Sequence, residues 1–64
     1  MIDVNQLKGI ITAKGLSQRK VARHLGMAEK TFYLKMKKGI FDSDEIKEMI
    51  VLLDIKNPTD IFFR

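Results

Sequence analysis

Apolar residues recur at spacings of three and four along nearly the whole chain, the pattern of helices that each bury one stripe. Val4, Leu7, Ile10 and Ile11 predict a first helix over about 4–14. Asp3 stands as its N-cap with Gln6 three residues on, Ile2 is placed to staple Leu7, and Gly15 after Lys14 reads as the stop. Ser17 caps a second helix in which Val21, Ala22 and Leu25 form the stripe and Leu16 can staple Val21; Gly26 ends it after about two turns. Met27 and Ala28 make the turn to a third helix beginning near Glu29, with Phe32 and Met36 four apart on one face and a stop before Gly39. Ala28 is a poor N-cap, so this start is weaker than the others. After the connection Ile40-Phe41, Asp42-Ser43-Asp44-Glu45 has the form of a capping box, with Phe41 stapling Ile46, and its carboxylates suit the positive end of a helix dipole. Ile46, Met49, Ile50 and Leu53 make the buried stripe of this fourth helix, which Val51 and Leu52 widen beyond one core face. Asn57 as N-cap and Pro58 at the first helical position predict a last short helix to about Phe62. No alternating strand pattern, linker, repeat or low-complexity stretch interrupts this series. The expected fold is all-α, five short helices in one domain over 1–64.

Length and composition narrow what such a bundle does. A chain of 64 residues buries only about 60% of the surface its unfolded form exposes and leaves no room for a deep cleft between layers. There is no cysteine and one histidine, so no disulfide, thiolate or zinc site is expected. The apolar run at Ile50 to Leu53, even with Met49 before it, is far short of the roughly 20 residues of a membrane span, and Met1-Ile2-Asp3-Val4 lacks the start of a signal peptide. These features point away from an enzyme, a metal or cofactor protein and a membrane protein, and towards a soluble cytoplasmic one. The net charge of +4 hides a split. Residues 1–40 carry nine basic and two acidic groups, net +7, whereas 41–64 carry three basic and six acidic groups, net −3. One cationic face on a small domain attracts polyanions, nucleic acid or anionic lipid.

The stretch from Leu16 to Gly39 carries the sharpest signal. Two short helices are joined by a turn on Gly26, which can take positive φ. Ala22 stands where the helices would cross, and Val21, Leu25, Met27 and Phe32 pin the pair. This is a helix-turn-helix pattern over about 17–38. It resembles the helix-turn-helix of the phage Cro and lambda-repressor-like DNA-binding family, in which a Leu-Ser/Thr-Gln opening leads through an alanine and a Leu-Gly turn to a Thr-apolar recognition helix. The matching residues are Leu16-Ser17-Gln18, Ala22, Leu25-Gly26 and Thr31-Phe32. The likeness spans the chain: Lys14-Gly15-Leu16 after the first helix is similar to the family's opening, and Asn57-Pro58-Thr59-Asp60-Ile61-Phe62-Phe63 looks like the closing segment of small repressors from phages of Gram-positive bacteria. Three departures stand out. Lys35 occupies the usual second apolar position and Met36 takes its role, Gly39 falls one place late, and Ala28 replaces the usual Ser or Thr cap. The register of contacts after Leu34 is therefore open by one residue.

The resemblance implies a transcriptional repressor of the Cro type in a bacterial host cytoplasm, binding double-stranded operator DNA with its third helix in the major groove and needing no cofactor or metal. Positions 28–30 and 33–34 match the family's base-reading positions, and with Phe32 and Met36 turned inward the helix presents Glu29, Lys30, Tyr33, Leu34 and Lys37 outward. Lys30 can donate to guanine O6/N7, Glu29 can accept from cytosine N4, Ala28 or Leu34 can touch a thymine methyl, and Tyr33 can meet a base or a phosphate. Ser17 and Gln18 match backbone-binding positions of the first helix of the motif. Arg19, Lys35, Lys37 and Lys38 are further phosphate candidates on charge and location.

Plainer roles compete. Tyr33 can rest its ring on Lys30 or Lys37, Glu29 can simply be a helix-start acid, and His24 and Lys20 can be solvated. Nothing supplies an acid to orient a Ser17–His24 pair, so no hydrolase is read from them. Ile61, Phe62 and Phe63 cannot all face one small core, and Val51 and Leu52 add a second apolar surface. A homodimer through Leu52, Phe62 and Phe63 is expected, set against these residues folding over the domain's own base. No small-molecule effector site is evident. The rival class is an antitoxin-like or other protein-interaction module using the fourth helix and the C-terminus, and behind it a membrane-surface bundle.

Overall fold

The computed structural model describes residues 2–63; Met1 and Arg64, which the charge count and the domain bounds include, lie outside the described residues. The described residues are all-helical: α1 (Val4–Ala13), α2 (Gln18–His24), α3 (Glu29–Lys38), α4 (Ser43–Leu52) and α5 (Pro58–Phe62), with no strand among them.

The starts follow from short polar side chains. Asp3 Oδ1 accepts from the Gln6 N–H at 3.1 Å, and Ser17 Oγ accepts from the Lys20 N–H at 3.2 Å. Asp42 and Glu45 form the full reciprocal box, the Glu45 N–H donating to Asp42 at 2.8 Å and the Asp42 N–H to Glu45 at 2.9 Å. Ala28 offers no side-chain acceptor to α3, as its chemistry requires. Asn57 stands at the N-cap of α5, but its side chain makes no capping bond, and Pro58 alone marks that start.

Four helices close in the same way. A residue just past the last turn takes positive φ, and two N–H groups fold back onto last-turn carbonyls. After α2, the Gly26 N–H donates to Arg23 O at 3.1 Å and the Met27 N–H to Ala22 O at 3.0 Å, with Gly26 at φ 71°. Gly15 and Gly39 do the same after α1 and α3. After α4 the left-handed residue is Asp54, at φ 50°, with Asp54 N–H to Val51 O at 3.2 Å and Ile55 N–H to Ile50 O at 3.0 Å. Asp is among the few residues besides Gly that visit this region, so the closure is real but invisible to a search for glycine. The Lys56 ammonium donates to Asp54 at 2.9 Å and holds that carboxyl below its ordinary value, first through the hydrogen bond and then through its charge. The small stabilisation is present above the ordinary carboxylate range and is lost as pH falls through the lowered value; both groups are exposed and water screens the pair.

One core gathers a residue or two from every element: Leu7 and Ile11, Val21 and Ala22, Phe32 and Met36, Met49, and Ile61 and Phe62, with Ile2 from ahead of α1 and Phe41, Leu53 and Ile55 from the connections. Phe32 and Phe41 lie ring to ring, centroids 5.4 Å apart and tilted at 52°. The Asp3 N–H donates to Ile61 O at 2.7 Å, tying α5 to the start of α1. No buried side-chain nitrogen or oxygen among the described residues lacks a partner.

Gly9 sits inside α1 in an ordinary helical conformation, and a Cβ built on it meets nothing within 4 Å. Gly9→Ala is therefore expected to stabilise the protein by about 1 kcal/mol through helix propensity alone, raising the melting temperature by about 4–8 °C. A thermal melt followed by circular dichroism checks this; a lower melting temperature would mean that the glycine is needed for a close approach.

Candidate nucleic-acid interface

The most extensive helix–helix contact is α2 on α3. Val21 and Ala22 of the one and Phe32 and Met36 of the other are all no more than 1% exposed. The buried methyl of Ala22 lets the two backbones approach, and Gly26 reverses the chain between them without a Cβ penalty. Burial of Phe32 and Met36 sets the rotation of α3. The side turned away from them, carrying Lys30, Tyr33, Leu34 and Lys37, faces solvent, with Tyr33 57% and Leu34 44% exposed, and Ala28, Glu29 and Lys38 are exposed at the two ends of the helix.

Gln18 of α2 and Glu29, Lys30 and Tyr33 of α3 line one open recess of about 570 Å³ where the two helices begin. Arg19 and Glu29 face each other across this junction, Nε to Oε2 at 3.8 Å, both well exposed. The recess therefore holds a cation, a carboxylate, an amide and a phenol, a set able to donate and accept hydrogen bonds towards a flat polar ligand.

Two other expected contacts are already engaged. The Ser17 hydroxyl caps α2 through the Lys20 N–H. Lys35 is half-buried and donates to Glu45, which also accepts from the Asp42 N–H; its ammonium thus ties the end of α3 to the start of α4. The structure thus places Lys35, expected at a phosphate, in an ion pair with a residue ten positions along the chain, which no local spacing reveals.

The expected C-terminal surface is also divided. Phe62 is 3% exposed and belongs to the core, so as an interface residue it is corrected: the turn of α5 that buries Ile61 buries Phe62 with it. Phe63 is 65% exposed and borders a recess with Gln6, Thr59 and Asp60. Leu52 is half-buried and lines a different recess, about 380 Å³, with His24, Leu25, Lys47, Glu48 and the exposed Val51. Among the described residues no cluster of three or more His, Cys, Asp or Glu could hold a metal, and no helix is long and apolar enough to cross a membrane.

The pairing of Arg19 with Glu29 was not read from sequence; two opposite charges flanking the turn of a helix-turn-helix pattern are the signal that could have found it. Comparison with protein families, curated proteins and solved structures finds no match to this chain.

Proposed function

We propose that the protein is a sequence-specific double-stranded DNA-binding repressor of the phage Cro and lambda-repressor type, reading an operator half-site with α3 in the major groove. The observation that carries this reading is the rotation of α3. Burial of Phe32 and Met36 leaves Lys30, Tyr33, Leu34 and Lys37 on the exposed side, and Glu29, exposed at the helix start, joins Lys30, Tyr33 and Gln18 around an open recess. A helix in the major groove needs such a rigid support on one side and polar, reachable side chains on the other. The basic excess of residues 1–40 supplies phosphate attraction, with Gln18, Arg19, Lys37 and Lys38 as its nearest donors. Repression follows from occupancy: a protein seated on an operator excludes polymerase.

A single module contacts only about 600–1,000 Å² of DNA-facing surface, and two copies on half-sites about 34 Å apart gain affinity and a palindromic preference. The surface that supports pairing of copies is the recess with Leu25, Val51 and Leu52, where Val51 is 77% exposed. The same recess favours the second reading, a module that docks a different protein through α4.

A binding isotherm decides between them. The protein is titrated against a duplex selected from a random pool and against a scrambled duplex, at two salt concentrations. Preference for the selected duplex around two half-sites about 10 bp apart, with a steep salt slope, is the expected result. Equal weak binding to both duplexes, lost by about 0.2 M salt, would reduce the basic face to general attraction and leave the α4 docking surface as the function.

A further inference from the structure

We propose that the Arg19–Glu29 pair is a specificity filter, in which Glu29 withholds Arg19 from phosphate until it finds the exocyclic amino group of a cytosine in the major groove. This rests on the DNA-binding reading and adds the determinant that separates operator from other DNA.

From Val4 to Phe41 the chain has one acidic residue, Glu29. A lone carboxylate on the most basic part of a polyanion-binding surface works against affinity, since it repels every phosphate near it. It stands at the first position of α3, on the wall of the recess shared with Gln18, Lys30 and Tyr33. Its carboxylate lies 3.8 Å from Arg19, across the turn and on the other helix. The side chains are 61% and 71% exposed, so the pair is weak, and Glu29 gives it up at little cost for a donor on a base edge.

The chemistry of the base edges then does the sorting. A carboxylate only accepts hydrogen bonds. Guanine presents acceptors in the major groove and thymine presents O4 and a methyl, so both leave Glu29 without a donor. Cytosine presents the N4 amino group without the neighbouring acceptor that adenine N7 places beside its own amino group. On a duplex lacking cytosine at that place, Glu29 stays on Arg19 and the face loses one phosphate contact. On a duplex with cytosine there, Glu29 turns to the base and Arg19 is released to the backbone. Rejection of wrong sequences and recognition of the right one come from the same side chain, the arrangement by which binding proteins gain discrimination at some expense of raw affinity.

Glu29→Gln tests this, because it keeps the shape and removes the charge. On a scrambled duplex the variant is expected to bind about threefold tighter than the unsubstituted protein, the loss of a weak exposed pair and of one repulsive charge. The slope of log affinity against log salt should steepen by about 0.9, one more phosphate neutralised by the freed Arg19. The preference for the selected duplex over the scrambled one should fall at least about tenfold. Pools selected by the two proteins should differ at one base pair in each half-site, the unsubstituted protein retaining a cytosine that the variant does not. Adding Arg19→Gln to Glu29→Gln should cancel the change in slope. Unchanged slope, preference and selected sequence in Glu29→Gln, with circular dichroism showing an intact fold, would make Glu29 a helix-start acid and overturn the proposal while leaving the DNA-binding reading in place. Failure of the unsubstituted protein to prefer any selected duplex would overturn both.

Discussion

Phe32→Ala is expected to leave much of the protein unfolded at 25 °C. Phe32 is fully buried in α3, it packs its ring on Phe41 from the α3–α4 connection, and it shares the core with Val21 and Ala22 of α2. Truncating a buried phenylalanine to alanine costs about 3–5 kcal/mol, because the lost transfer energy is joined by an unfilled cavity. At 0.05–0.15 kcal/mol per residue, a chain of this length has only about 3–10 kcal/mol of stability to lose. Urea unfolding followed at 222 nm should therefore show a midpoint lowered by half or more, or no folded baseline. Phe63→Ala is the internal control. That side chain is 65% exposed, and its removal should change stability by no more than about 0.5 kcal/mol. Equal small losses from the two variants would mean that α3 is not held by the core through Phe32, and the orientation of its exposed side would lose its support.

The second large effect is on binding. Lys30→Ala should weaken binding to the selected duplex by about 10- to 100-fold and change binding to the scrambled duplex far less, as expected for a side chain that donates to a base edge. Lys37→Ala should weaken both duplexes alike and lower the salt slope by about 1, as expected for a phosphate contact. Both lysines are on the exposed side of α3 and have no ion-pair partner in the described fold, so neither substitution should move the melting temperature appreciably. Anisotropy titrations at two salt concentrations separate the patterns. Uniform weakening by Lys30→Ala would reassign it to the backbone, and no effect on either duplex would place the interface elsewhere.

Much of the fold is legible along the chain because its determinants are local. The Asp3, Ser17 and Asp42 starts are bonds to an N–H three residues away, and the stops at Gly15, Gly26 and Gly39 are positive-φ positions that glycine tolerates. The end of α4 escaped the same reading because Asp54 fills the left-handed position there, held by backbone bonds that do not depend on the side chain. The exposed side of α3 was legible too, since two buried residues four apart define the opposite side of a helix.

The chain alone determined which segments are helical, where each begins, and which residues of α3 point away from the core, because helix periodicity and capping act over three or four residues. Tertiary structure decided the fate of side chains whose partners lie on other elements. Lys35 went to Glu45 rather than to solvent, Arg19 met Glu29 across the turn, and Phe62 entered the core while Phe63 stayed outside. Those outcomes depend on how α5 and the start of α4 dock on the other helices. Docking is set by the fit of apolar volumes gathered from all five helices, a quantity that no local spacing contains.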